Sequence, residues 1–194
     1  MNFSEQCQRS NMLISGIDYS LNGPSICIFD GSKSFNFNNC QFYFLSPIKK
    51  YSTIFNKNIH GENFQDYDEE CERYDTISDW AISKILGCEQ VAIEDYAFNA
   101  QGRVFHIAEN TGILKYKCYQ NCIPVEVVSP SHIKKLASGK GNADKNLMYQ
   151  SFVKETNVPI KDIISPNSSE IKSPVSDIVD SYYICKYLYN NIKI

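Results

Sequence analysis

The chain has 194 residues, 43% hydrophobic and 21% charged, with a formal net charge of −3. That length suits one domain with a sizeable core, and the composition is that of a globular protein, which excludes disorder over most of the chain. No apolar run approaches the roughly 18 residues of a membrane span, and residues 1–11 lack the basic start and apolar stretch of a signal peptide, so a cytoplasmic location and no membrane partner are expected.

Residues 1–11 read as a polar extension ahead of a single domain over 12–194. Residues 12–18 form a short apolar run that predicts a buried strand. Asn22-Gly23-Pro24 makes a turn, 25–29 returns as a second strand, and Asp30-Gly31 signals another hairpin. Aromatic alternation (Phe35, Phe37; Phe42, Phe44) predicts a third strand over 33–45. A polar connection through Gly61 leads to a helix over 66–86, where Ile77, Trp80, Ala81 and Ile85 recur at helical spacing. Residues 90–94 predict a strand, 102–120 a helix and 123–128 another strand. Helices over 130–137 and 143–155 flank the loop 138–142. A turn-rich stretch, 156–173, precedes Pro174, which opens a terminal helix to about residue 189. The order βββ-α-β-α-β-α-α-α predicts an α/β fold with a mixed five-stranded sheet. The first three strands pair antiparallel, the first, fourth and fifth pair parallel, and helices cover both faces.

The eight cysteines form no C-x-x-C pair, and several lie inside apolar stretches, as Cys27 does in SICIF and Cys185 in YYICKYL. They read as reduced thiols packed as small hydrophobes. Cys118-x3-Cys122 has no partner pair for a zinc site. Charge is divided along the chain. Residues 62–79 are acidic apart from Arg73, whereas 130–154 carry Lys134, Lys135, Lys140, Lys145 and Lys154 against Asp144 alone. A basic face can bind a polyanion despite a negative mean charge; the same charges also fit two solvated helix faces.

Two carboxylates end apolar strands: Asp18 in ISGIDYS and Glu94 in VAIEDY. Burying an ionised carboxylate is costly without a cation or donors. The terminal helix adds Asp177 and Asp180, three residues apart on the stripe continued by Ser181, Ile184 and Leu188, the face expected to pack on the sheet. Four converging carboxylates suggest hard divalent cations, magnesium or manganese. Unrelated surface acids are the other reading of the spacing.

The order of elements and the segments G-I-D18-Y-S, A-I-E94-D-Y and S-D177-I-V-D180-S-Y resemble the RuvC family of Holliday-junction resolvases, which has a ribonuclease H-like fold. The run 129–145, SPSHIKKLASGKGNADK, is similar to that family's segment before its last catalytic helix. The resemblance spans residues 12–189 and looks most like the short phage members. It implies a homodimer, dependent on Mg2+ with Mn2+ as a substitute, that selects four-way or branched DNA. The implied metal ligands, and with Lys145 the catalytic residues, are Asp18, Glu94, Asp177 and Asp180. Lys140 and Lys145 match implied DNA contacts, with Lys134 and Lys135 in the same segment and Arg103 as further contacts. Phe98 lies near a position where the family places an aromatic that wedges into the junction. Two departures stand out. Asp95 replaces a common amide; on an ideal strand it faces away from Glu94, so the metal is assigned to Glu94. Tyr19-Ser20 replaces a proline-glycine pair.

The chemistry asks for such residues. Two metal ions about 3.5–4 Å apart hold the attacking and departing oxygens of a phosphodiester in line. Asp18 is the natural bridge, and Lys145 adds positive charge near the phosphate. The expected function is structure-selective endonuclease cleavage of four-way or branched DNA. The alternatives are another ribonuclease H-like nuclease and a non-catalytic junction binder. A proofreading-type exonuclease is disfavoured because the first strand has no D-x-E pair, and a sugar-kinase-like ATPase needs a duplicated domain. A binder would tolerate loss of the acids, yet all four are present. For the dimer, helix 102–120 offers a second apolar edge at Phe105, Ile113 and Tyr116.

Overall fold

A computed structural model describes residues 12–95 and 104–192; the extension 1–11, Phe98 and Arg103 lie outside the described residues. The described strands are β1 (Leu13–Asp18), β2 (Ser25–Asp30), β3 (Cys40–Ser46), β4 (Ile54–Phe55), β5 (Ile59–Asn63), β6 (Gln90–Glu94) and β7 (Val125–Val128). The helices are α1 (Glu70–Ile85), α2 (Val104–Gln120), α3 (Pro130–Ser138), α4 (Lys145–Thr156), α5 (Ile160–Ile164) and α6 (Val175–Asn191). The strands form one mixed sheet in the order β4-β5-β3-β2-β1-β6-β7. The antiparallel meander β1-β2-β3 and the parallel set β1-β6-β7 are as expected.

Period-two alternation sends each strand's side chains to two cores. Ile14, Cys27, Phe29, Phe42, Phe44 and Ala92 pack under α6 and its neighbours with Phe152, Tyr182 and Ile184. Ile17, Ile26, Leu45, Val91 and Ile93 pack under α1 and α2 with Ile77, Ala81 and Leu114. Each large apolar side chain fully buried this way contributes about 1.5–3 kcal/mol. Gly16 sets the distance between β1 and α6. A Cβ there would stand 2.0 Å from the Cys185 amide nitrogen and 2.6 Å from the Ser181 carbonyl oxygen, so only glycine lets the helix lie this close.

The sheet is two strands wider than the five expected. The stretch read as a polar connection holds β4 and β5, and β5 runs parallel to β3. Its sequence, IHGEN, has little apolar character to announce a strand; only Ile59 and Gly61 are buried. Gly61 admits the Tyr51 carbonyl where a Cβ would collide at 1.9 Å. The third strand begins at Cys40 rather than 33, because the Asn36 side chain accepts from the Asn39 amide and starts a short 3-10 turn. Phe35 and Phe37 still pack into the α6-side core. Helix α1 begins four residues later than expected, where the Glu72 carboxylate accepts from the Asp68 amide just ahead of the first turn. The loop after α4 holds the short helix α5. The seven described cysteines are free thiols, and no described helix is long and apolar enough to cross a membrane.

Candidate active site

Alternation puts Asp18 on the α6-facing side of β1 with Ile14 and Gly16, and Glu94 on the same side of β6 with Ala92. The parallel register pairs Ile17 with Ile93, so the two carboxylates leave adjacent strands at matching ends. Helix α6 runs over them with Asp177 in its first turn and Asp180 one turn on. The inward stripe of α6 is as expected: Ser181, Ile184 and Leu188 are fully buried and Asp177 nearly so.

Asp18, Glu94 and Asp180 line a cleft of about 680 Å³, together with Asp95, Lys134, Asp144 and Lys145. Asp177 stands at its back. The Ser173 hydroxyl donates to Asp177 Oδ2, and the Ser176 hydroxyl donates to Oδ1 at 2.8 Å. Lys145 Nζ in turn donates to Ser176 Oγ at 3.3 Å. Gly23 presses on the other side, since a Cβ there would lie 2.8 Å from Asp177 Oδ2 and 2.7 Å from Ser173 Oγ.

Desolvation and mutual repulsion push these acids toward their neutral forms. Burial first, then the charges of Asp177, Asp180 and Glu94, holds Asp18 well above the ordinary aspartate range, against the pull of Lys145. Burial pushes Glu94 up to about 7, opposed by Lys134. Burial, Glu94 and Asp177 push Asp180 up to about 7, opposed by Lys145 and Lys134. Asp177 is raised by burial and partly restrained by its two serine donors. Two lysines therefore face four acids.

The donor set suits a hard divalent cation: carboxylate oxygens, with no thiol or imidazole on the described cleft lining. Among the described residues no three acids close on one point as a finished ion cage. The repulsion itself is what a cation would relieve, and the four acids are the residues that would hold it.

The basic segment divides. Lys134 and Lys145 line the cleft, and Asp144 caps α4 beneath Lys145 by accepting from the Leu147 amide at 2.8 Å. Lys140 is exposed in the turn between α3 and α4, outside the cleft lining. Lys135 borders a separate hollow with His132 and Tyr187. Asp95, set aside as facing away, lines the cleft beside Glu94, because β6 ends at Glu94 and the strict alternation ends with it. Ser173 and Ser176 escaped sequence reasoning, although two hydroxyls at positions four and one before Asp177 were a usable signal. On α2, Ile113 packs inward against the α1-side core and does not belong to the outer apolar edge. Phe105, Tyr116 and Tyr119 form that edge, 76%, 61% and 79% exposed.

No family model matches the chain. Solved structures do match. RuvC of Thermus thermophilus aligns with a TM-score of 0.56 and 13% identity, covering 92% of this chain and 96% of that one. The same organism's RuvC in complex with a Holliday junction substrate aligns at 0.59 and 16% identity over 90% of each chain. The fowlpox virus Holliday junction resolvase aligns at 0.50 and 12%, covering 93% of this chain and all of that one. The chain has the ribonuclease H-like fold of the RuvC-type resolvases, the family that its sequence segments resemble.

Proposed function

We propose that the protein is a metal-dependent, structure-selective DNA endonuclease that resolves four-way junctions. The observation that carries this reading is the convergence of Asp18, Glu94 and Asp180 in one lysine-flanked cleft, with the Asp177 charge close behind them. Asp18, Glu94, Asp177 and Asp180 would hold the ions, with Asp18 as the ligand they would share. Mg2+, or Mn2+ in its place, would supply the alignment of water and leaving oxygen that hydrolysis of a phosphodiester requires. Lys145 and Lys134, on the cleft lining, offset the phosphate's negative charge where it develops in the transition state. Lys140 and Lys135 extend the basic face along the DNA, with Phe98 and Arg103 between β6 and α2. The T. thermophilus RuvC bound to a Holliday junction substrate and the fowlpox virus Holliday junction resolvase share this fold, which supports this substrate.

A symmetric homodimer fits the task, since a four-way junction has near two-fold symmetry and each site supplies one nick. Closed two-fold pairing is the commonest soluble arrangement, and the Phe105, Tyr116 and Tyr119 edge of α2 gives it a face. Free thiols suit a reducing compartment such as the cytoplasm.

The test is cleavage of a synthetic four-way junction with Mg2+ against EDTA, beside flap and linear duplex controls. Paired nicks that need the metal are expected. Binding without cleavage under any divalent ion would replace the nuclease by a junction-binding protein.

A further inference from the structure

The turn between β1 and β2, residues 19–24, decides how the acids are presented, since it begins at Asp18 and its Gly23 stands against the Asp177 carboxylate. Tyr19 and Leu21 anchor it in the α1-side core, the Tyr19 hydroxyl donates to Asn110 Oδ1 at 3.2 Å, and the Gly23 amide donates to Ser20 Oγ at 3.0 Å. Leu21 and Asn22 line the catalytic cleft on one side and a second hollow of about 380 Å³ on the other. The Leu21 carbonyl and the exposed Asn22 side chain, between the two hollows, are held by further bonds.

Those bonds come from Arg73, the lone cation in the acidic stretch of α1. Its Nη2 donates to the Leu21 carbonyl at 2.8 Å and to the Asn22 side-chain oxygen at 2.7 Å. The side chain is 8% exposed, its Nη1 lies 3.7 Å from a half-exposed Glu70, and its Nε has no partner among the described residues. The Tyr67 ring covers one face of the guanidinium at 5.1 Å. The next residue, Tyr74, ties α1 to α2, its hydroxyl 2.7 Å from His106 Nδ1. Burying a guanidinium costs several kcal/mol unless its geometry is used. Here one terminal nitrogen, held in the guanidinium plane, donates both its hydrogens to acceptors on successive residues; a lysine ammonium ends one bond short of that position and is not fixed in a plane.

We infer that Arg73 is a positioning residue for the catalytic acids: from α1 it clamps the Leu21–Asn22 turn, and through Gly23 and Asp18 the clamp sets the spacing of the carboxylates for metal. This rests on the nuclease reading for the role of the acids, but the clamp itself is read by metal affinity. A neutral hydrophobe at 73 would test packing; lysine tests the reach and planarity of the guanidinium while keeping the charge.

The experiment compares wild type, Arg73→Lys and Asn22→Ala in four measurements on the full chain. These are Mn2+ binding by calorimetry without DNA, junction affinity in EDTA, kcat and KM with Mg2+, and thermal stability. Arg73→Lys is expected to weaken Mn2+ binding by roughly 10-fold, the lower end of what outer-sphere partners carry. Its kcat should fall by a similar factor at limiting metal and recover with excess, while EDTA binding to the junction stays within about two-fold of wild type. Asn22→Ala, which spares the Leu21 bond, should move the same quantities less. A folded Arg73→Lys or Asn22→Ala protein with wild-type metal affinity and kcat overturns the clamp, as does a loss no larger than the unfolded fraction explains. If Arg73→Lys does not fold, Asn22→Ala decides alone. A wild type that binds Mn2+ but ignores junctions sinks the substrate assignment, and the clamp is still judged on the metal affinities.

Discussion

Acids gather at two places in this molecule, and their surroundings differ. On α1, Asp75 and Asp79 are about two-thirds exposed and share the Lys117 ammonium, which reaches both from α2. At the ends of β1 and β6 and the start of α6, Asp18, Glu94, Asp177 and Asp180 are enclosed, and all four are pushed above their ordinary range. The first group is more conspicuous in the sequence, with eight acids in 18 residues, 62–79. The second is the proposed site. Number of charges is a poor guide to function; charge kept where solvation and partners are short is a good one.

The strongest way to break that contrast is at its centre. Asp18→Asn or Glu94→Gln should cut junction cleavage by at least about 100-fold, the scale on which loss of one transition-state-stabilising group acts. Junction binding in EDTA should hold, because the lysines are untouched. A gel assay with both readouts checks this, and wild-type cutting by either variant would place the metal site elsewhere.

A milder change sharpens the same side. Ser176→Ala removes the donor to Asp177 Oδ1 and the acceptor for Lys145. Metal affinity should fall by about 10- to 100-fold, as for other partners that orient a ligand. Titrating Mg2+ against cleavage rate reads this as a right-shifted curve that approaches the wild-type plateau; an unshifted curve would leave the serine a mere helix-end residue.

The two groups should also answer pH differently. Glu94 and Asp180 titrate near 7 in the folded protein, above their ordinary 4.5 and 3.8. The folded state then holds protons that the unfolded state has released, so stability declines as pH rises through that window. Metal needs the deprotonated acids and reverses the penalty where it is greatest. Metal-free protein should melt lower at pH 8 than at pH 5.5. Added Mg2+ should raise the midpoint at pH 8 and do little at pH 5.5, and Asp180→Asn should flatten both trends. A Mg2+ effect equal at the two pH values would detach the acids from the metal.

The basic segment supplies a finer comparison. If DNA follows the cleft, replacing Lys134 or Lys145 with alanine should each lower the slope of log affinity against log salt by about 0.9. Lys135, turned to the His132 and Tyr187 hollow at the margin of the basic face, should lower it less. The reverse order would move the DNA path to that hollow.

Much of this was legible in the sequence, for physical reasons that name themselves. Asp18 and Glu94 stood out because each ends a run of apolar residues, and Asp177 with Asp180 because helical spacing put them on the stripe that Ile184 and Leu188 bury. What escaped was set by tertiary contact. Strand β5 is held by pairing with β3 and by the space at Gly61, not by its own propensity. Arg73 read as one cation in an acidic stretch; its bonds go to residues 51 and 52 positions away. Asp95 was misplaced because alternation was carried one residue past the strand's end.

The smallest expected effect lies on the other side of the comparison. Asp75→Asn with Asp79→Asn removes two negative charges from α1 and leaves Lys117 with neutral acceptors alone, the amide oxygens and the backbone carbonyl of residue 75, 3.2 Å away. Exposed pairs of this kind contribute about 0–1 kcal/mol each, because water already solvates both partners and salt screens them. Lys117 is the less exposed partner, at 17%, so the loss should sit toward the upper part of that range. For a protein of this size that corresponds to a fall of about 2–4 °C per kcal/mol in the melting midpoint, and it should shrink as salt is raised. Metal affinity and cleavage rate should not move, since α1 touches the site through Arg73 and not through these acids. A drop in cleavage beyond two-fold in the folded double variant would mean that the acidic face of α1 takes part in the site, and the division between the two groups of acids would fail.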